Sequence, residues 1–250
     1  MTPDDAGVAS SSSPGDPSPG EPTWGLGDVV AGILASMVLA ALGGGVILAI
    51  GGWSEIGEVP IWGLALLQIP LWSGYLIVTW LATRTKGNGL VADLGLRSSA
   101  LDVPIGLVIG MATQLVVVPL LYLPILELTG RTTEELSEPA RDLASRATGW
   151  WSWLLFAAMV GLVAPFVEEL FYRGLFVRAL QKRGASTAAT VVGTSLVFAA
   201  VHLQVLQFAG LLAFGLVAAA LAVRTGRLGA AIWAHIGFNM TSVVSLYLTA

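Results

Sequence analysis

The sequence predicts an all-α, polytopic membrane helix bundle of about seven transmembrane helices behind a disordered N-terminal tail. Three observations predict it. The chain is 55% hydrophobic and only 11% charged, against about 25% charged residues in soluble domains. Its uncharged stretches are long enough to cross a bilayer, which takes about 20 apolar residues as a helix. The few charges between those stretches cluster in short segments, as loops between spans do.

The tail comes first. Residues 1 to 24 are rich in Ser, Pro, Gly and Asp and have too little apolar surface to fold. They contain no Lys or Arg, so they do not form the basic n-region of a signal peptide. The remainder, 25 to 250, reads as one transmembrane domain. Residues 29 to 50, 59 to 83 and 103 to 126 are uncharged and make three spans. Residues 147 to 167 are also uncharged, and this fourth helix continues to about 182. Residues 184 to 223 hold 40 positions without Asp, Glu, Lys or Arg, enough for two spans joined by a turn near HLQVLQ, 202 to 207. A seventh span covers roughly 228 to 248.

Lys and Arg set the expected orientation. Arg84, Lys86 and Arg97 follow span two, Arg178, Lys182 and Arg183 close span four, and Arg224 and Arg227 follow span six. All fall on one side, expected to be cytosolic, which puts the N-terminus inside and the C-terminus outside. Arg131, Arg141 and Arg146 lie opposite, in a longer loop with many acids. No basic cluster suits nucleic acid. There is no cysteine, so disulfides, thiolate catalysis and Cys-based metal sites are excluded.

The polar groups inside the spans carry the chemistry. A central charge costs roughly 2.5 to 3.5 kcal/mol on insertion scales. Yet FVEELFYRGLF, 166 to 176, holds Glu168, Glu169 and Arg173. At about 100° per residue, Glu169 and Arg173 share a face one turn apart and form the natural ion pair. Glu168 lies on another face with no in-helix partner, which makes it the candidate general base or acid. The two histidines of the chain both fall in expected spans. Phe198 precedes His202 by one turn, and Asn239 follows His235 by one turn. Counted from a turn near residue 184, Glu168 and His202 rise about 24 and 27 Å, while His235 and Asn239 rise roughly 14 and 20 Å from the start of span seven. All four fall in one slab of the membrane.

Each feature alone has a plainer reading: a packing ion pair, a satisfied packing histidine, an interhelical amide. Their joint occurrence at one height favours a site. Gly106 and Gly110 make a small-xxx-small pattern that marks close helix packing. Tryptophans 24, 53, 62, 80, 150, 151 and 153 sit near span ends as interfacial anchors.

Glu168-Glu169-Leu170-Phe171-Tyr172-Arg173 fits EExxxR, Phe198 to His202 fits FxxxH, and His235 to Asn239 fits HxxxN. In this order, on separate helices, they resemble the CPBP (Abi) family, which includes type II CAAX prenyl endopeptidases and many bacterial intramembrane proteases. The resemblance covers a catalytic core of about 147 to 247. It implies an intramembrane endopeptidase in which Glu168 and His202 activate water, His235 and Asn239 stabilise the oxyanion, and Glu169, Arg173 and Phe198 support them. It favours a metal-independent mechanism with no cofactor. The alternative is a zinc site of Glu168, His202 and His235 with a fourth water, although no HExxH is present.

Two other classes stay open. Intramembrane Glu, Arg and His could relay protons in a transporter, but no inverted repeat is visible and the polar groups sit only in the C-terminal half. A non-catalytic scaffold or immunity protein is the third reading. The expected partners are membrane lipids and a membrane-associated peptide or protein substrate. Abundant Ala, Gly, Leu, Val and Arg with only two lysines, Lys86 and Lys182, suggests a GC-rich bacterium and its cytoplasmic membrane.

Overall fold

A computed structural model describes residues 21–249. Among these residues it contains nine principal helices and no strand. They are α1 (Leu26–Gly51), α2 (Ile61–Thr85), α3 (Leu90–Leu94), α4 (Asp102–Thr129), α5 (Thr133–Ser145), α6 (Trp150–Lys182), α7 (Thr187–Val201), α8 (Phe208–Thr225) and α9 (Gly229–Thr249). Six of them, α1, α2, α4, α6, α8 and α9, are long and apolar enough to cross a membrane. α7 is apolar but shorter, and packs along α8. The chain is an integral membrane helical bundle.

Residues 1–20 of the expected tail lie outside the described residues. The last part of that tail is not separate from the bundle. Trp24 is buried, donates its indole N–H to Asp93 at 3.0 Å, and lies beneath the Lys182 ammonium. A large aromatic with a polar handle is held well in such a niche.

α1 packs along α2, and α4 packs along α9. The outer face of α1 carries Val30, Leu34, Val38, Leu42 and Val46, all more than half exposed. An apolar stripe at four-residue spacing is the face such a helix turns to lipid. The inner faces meet around Phe171, Tyr172, Leu175, Phe198 and Phe214. The glycine pair of α4 has the packing role read from its spacing. A Cβ at Gly106 would stand 2.6 Å from Trp233, and one at Gly110 would collide with the backbone of Ala234. Two helices approach this closely only where one lacks side chains.

The basic residues gather at one end of the bundle. Asp102 accepts a two-point bond from Arg227 (2.8 and 2.7 Å), clamping the starts of α4 and α9. Arg178 donates to Gly226, Lys86 pairs with Asp28, and Lys182 donates to the carbonyls of Pro22 and Trp24.

At the other end the expected loop between spans three and four folds into α5. Its N-terminus is a reciprocal cap: the Thr132 hydroxyl accepts from the Glu135 amide at 3.2 Å, and Glu135 accepts from the Thr132 amide at 2.9 Å. The Thr132 amide bond and the Arg131 guanidinium hold the Glu135 carboxyl below its ordinary value. The sequence signal for this helix is Thr132-x-x-Glu135. α5 is tied down by Gln207, which donates to Leu136 at 2.9 Å, and by Arg146, which donates to Ile56.

Candidate active site

α6 is not a uniform α-helix. Met159–Val163 and Glu169–Phe176 are π-helical, as is Thr113–Val117 of α4. The first of these has a cause in the sequence. The Ala164 amide bonds back five residues to Met159, and the next residue is Pro165, which has no N–H to give. The Val160 carbonyl is thereby left without the partner that either helical pattern would supply. Asn239 of α9 fills the vacancy, donating its side-chain amide at 2.8 Å. The π-turn of α4 stands in the same relation to Val118-Pro119. π-turns are rare and collect at functional sites.

The second π-segment begins at Glu169 and alters the angular picture drawn from a constant 100° step. Glu169 still pairs with Arg173, at 2.9 Å, with both side chains fully buried. The two neighbouring glutamates, however, both approach His235. Glu169 Oε1 lies 2.8 Å from His235 Nδ1, and Glu168 Oε2 lies 3.8 Å from Nε2. A carboxylate only accepts, so Nδ1 carries a proton toward Glu169 and Nε2 is the atom turned toward Glu168. Arg173 also donates to the Gly215 carbonyl at 3.2 Å and sits 4.4 Å over the Phe198 ring. Glu169 Oε1 thus lies between two donors, while Oε2 is buried without a hydrogen-bond partner among the described residues.

The sequence reading counts His202 in a span while starting the turn at 202; the structure settles this for the turn, with His202 just past Val201 at the C-terminal end of α7, where the turn to α8 begins. Leu203 completes that turn with φ of 56°, a left-handed conformation unusual for a non-glycine residue. His202 Nδ1 lies 2.7 Å from the Phe198 carbonyl. A carbonyl cannot donate, so Nδ1 bears the hydrogen and Nε2 is left free. Phe198 touches both imidazoles and the guanidinium: its ring is 4.8 Å from His202, 5.9 Å from His235 and 4.4 Å from Arg173. The Phe of FxxxH is a packing hub for three polar groups.

Glu168, His202, His235 and Asn239 all line one cavity of about 470 Å³. Glu168 is 19% exposed there, while Glu169 is fully buried behind it. Ala140 of α5 and Gln204 of the 202–207 turn also border the cavity, so it lies toward the end covered by α5. Glu168, His202 and His235, the three residues a zinc reading would use, do not form a ligand set. Among the described residues no three His, Cys, Asp or Glu side chains are grouped so as to hold a metal ion.

Sequence reasoning missed two neighbours. Tyr172 and Tyr75 line the same cavity, and their hydroxyls are 2.8 Å apart. Tyr172 was within reach, four residues after Glu168 on the same helix. Tyr75 of α2 carried no signal, because its span has no recognisable motif.

Comparison with known proteins bears on this half of the chain. Residues 150–241 match the family model described as type II CAAX prenyl endopeptidase Rce1-like, a protease family. The match takes in all three motifs and agrees with the resemblance drawn from them. Comparison with curated proteins and with solved structures returned no match.

Proposed function

We propose that this chain is an intramembrane endopeptidase that hydrolyses a peptide bond of a membrane-associated peptide or protein without a metal, in a bacterial cytoplasmic membrane. The observation that carries this reading is the convergence of Glu168, His202, His235 and Asn239, drawn from α6, α9 and the end of α7, on one cavity. Amide hydrolysis needs a base for water, a proton for the leaving amine, and donors where the carbonyl oxygen becomes negative.

In this reading Glu168 takes the proton from water. It suits the part because no arginine or lysine pairs with it and one face of it is open to the cavity. His202 shares the proton work through its free Nε2, the ring being fixed by the Phe198 carbonyl. Together such groups contribute about 10² to 10⁴-fold. The oxyanion falls to His235 and Asn239. One amide hydrogen of Asn239 is held by Val160, which orients the other. His235 donates through Nε2 only when both ring nitrogens carry hydrogen, because Nδ1 is committed to Glu169. Preorganised donors of this kind are each worth up to about 3 to 4 kcal/mol.

The test uses membranes containing the full chain or its Glu168→Ala, His202→Ala or His235→Ala variant. A fluorogenic peptide is presented at the vesicle surface, with and without a C-terminal isoprenyl cysteine. Cleavage by the parent and its loss in each variant is the expected result; cleavage retained in all three ends the proposal. The prenylated and plain peptides together read out whether the substrate is a CAAX-type one.

A further inference from the structure

A second cavity, of about 630 Å³, opens at the basic end of the bundle, between the end of α2 and α3. Trp80, Leu90 and Val91 line its apolar side, and Arg84 and Arg97 are the charged side chains on its wall. No acid lines it.

Four other cations of this end are engaged: Lys86 by Asp28, Arg227 by Asp102, Arg178 by the Gly226 carbonyl, and Lys182 by two main-chain carbonyls; Arg183 and Arg224 stand outside the lining of this cavity. Arg84 and Arg97 pair with no carboxylate among the described residues; Arg84 merely lies 5.3 Å over the Trp80 ring. Asp93, the acid of the adjoining helix, is already committed. It accepts from the Trp24 indole at 3.0 Å and from the Asn88 amide at 2.9 Å. Two guanidinium groups therefore share one concave wall that no acid of the described residues lines, beside an indole of the kind that sits at headgroup level. Guanidinium groups are planar forks suited to phosphate.

The geometry points to a binding site for a phosphate-class anion, either the headgroup of an anionic phospholipid or a free phosphate. The apolar residues beside the arginines would meet the root of an acyl chain in the first case. The site lies at the opposite end of the bundle from α5, and it is independent of the peptidase reading.

The test is native mass spectrometry of the full chain in detergent, titrated with phosphatidylglycerol or phosphatidylcholine. The parent is expected to retain phosphatidylglycerol preferentially, and Arg84→Ala/Arg97→Ala to lose that retention on the order of 30-fold, about fivefold for each basic side chain. Arg84→Lys/Arg97→Lys, which keeps the charges and loses the forks, should fall between the parent and the alanine variant. Should the double alanine variant fail to purify, Arg84→Gln and Arg97→Gln singly carry the same comparison at about fivefold each. Added inorganic phosphate that displaces the lipid assigns the site to free phosphate, and lipid that persists assigns it to the headgroup. Equal retention of the two lipids, or retention unchanged in the alanine or glutamine variants, overturns the proposal.

Discussion

The side-chain amide of Asn239 donates to the main-chain carbonyl of Val160 at 2.8 Å, and the reason it can do so lies five residues further on. Pro165 has no N–H, so α6 widens into a π-turn and exposes that carbonyl. An imperfection in one helix thus fixes the orientation of a polar side chain on another.

This relationship yields the first prediction. Pro165→Ala restores an amide that can bond back to Gly161 and lets the Ala164 amide move from Met159 to Val160, as in a regular α-helix. The helix should regularise, and Asn239 should lose its tether. The protein is expected to fold with equal or greater stability, since proline in a helix interior costs about 3 kcal/mol, while peptide cleavage falls by at least tenfold. Thermal melting and cleavage rates measured on the same preparation check both halves. Unchanged cleavage would mean that the tether does not orient Asn239.

The two adjacent glutamates should behave in opposite ways. Glu169 bridges Arg173 and His235 and is fully buried. Glu169→Ala strands a buried guanidinium, and breaking such a pair by removing one partner costs about 3 to 5 kcal/mol. The expected outcome is a large fall in melting temperature and poor yield.

Glu168→Gln is the counterpart. Glu168 is partly exposed to the cavity and has no partner within hydrogen-bond distance. The amide is nearly isosteric, so the melting temperature should match the parent. Cleavage should fall by about 10² to 10⁴-fold, the worth of a general base. A stable and active Glu168→Gln variant would remove Glu168 from the chemistry.

The tyrosine pair gives a stability prediction. Tyr75 and Tyr172 share a hydrogen bond in a buried setting. Tyr75→Phe leaves the Tyr172 hydroxyl without that partner, at a cost of about 1 to 3 kcal/mol. Tyr75→Phe combined with Tyr172→Phe should recover part of the loss, because neither hydroxyl then lacks its partner. Melting temperatures of the single and double variants form the cycle.

Much of this bundle was legible because charge is expensive in a membrane. Uncharged runs located the helices, and the 40-residue gap split at 202–207 as expected. The same cost made Glu168, Glu169, Arg173, His202 and His235 conspicuous, and helix rise put Glu168, His202, His235 and Asn239 in one slab of the membrane. What stayed hidden was what departs from a regular helix. A constant 100° step has no place for the π-turns at Met159–Val163 and Glu169–Phe176, although Pro165 was in plain view. Those turns let both glutamates approach one imidazole. α5 was hidden for a different reason: its polar composition reads as loop until the Thr132-x-x-Glu135 cap is noticed.

That cap makes α5 sensitive to acid. The Glu135 carboxyl is held below its ordinary value, chiefly by the Thr132 amide, so its contribution is fully present above the usual carboxylate range, about pH 4.3. It is lost as pH falls through the lower, folded value. α5 borders the cavity at Ala140 and is tied to the 202–207 turn through Gln207, so fraying of its first turn would loosen the cover of the site. The chain has no cysteine, and a spin label on Glu138→Cys therefore reports on α5 alone. Its mobility should be low at neutral pH and rise as the pH falls below the usual carboxylate range. In Thr132→Ala, which removes the hydroxyl that accepts from Glu135, mobility should already be raised at neutral pH, by the loss of a cap worth about 1 kcal/mol. A label equally immobile in both proteins across that range would show that α5 is held by its tethers to Gln207 and Ile56 and not by its cap.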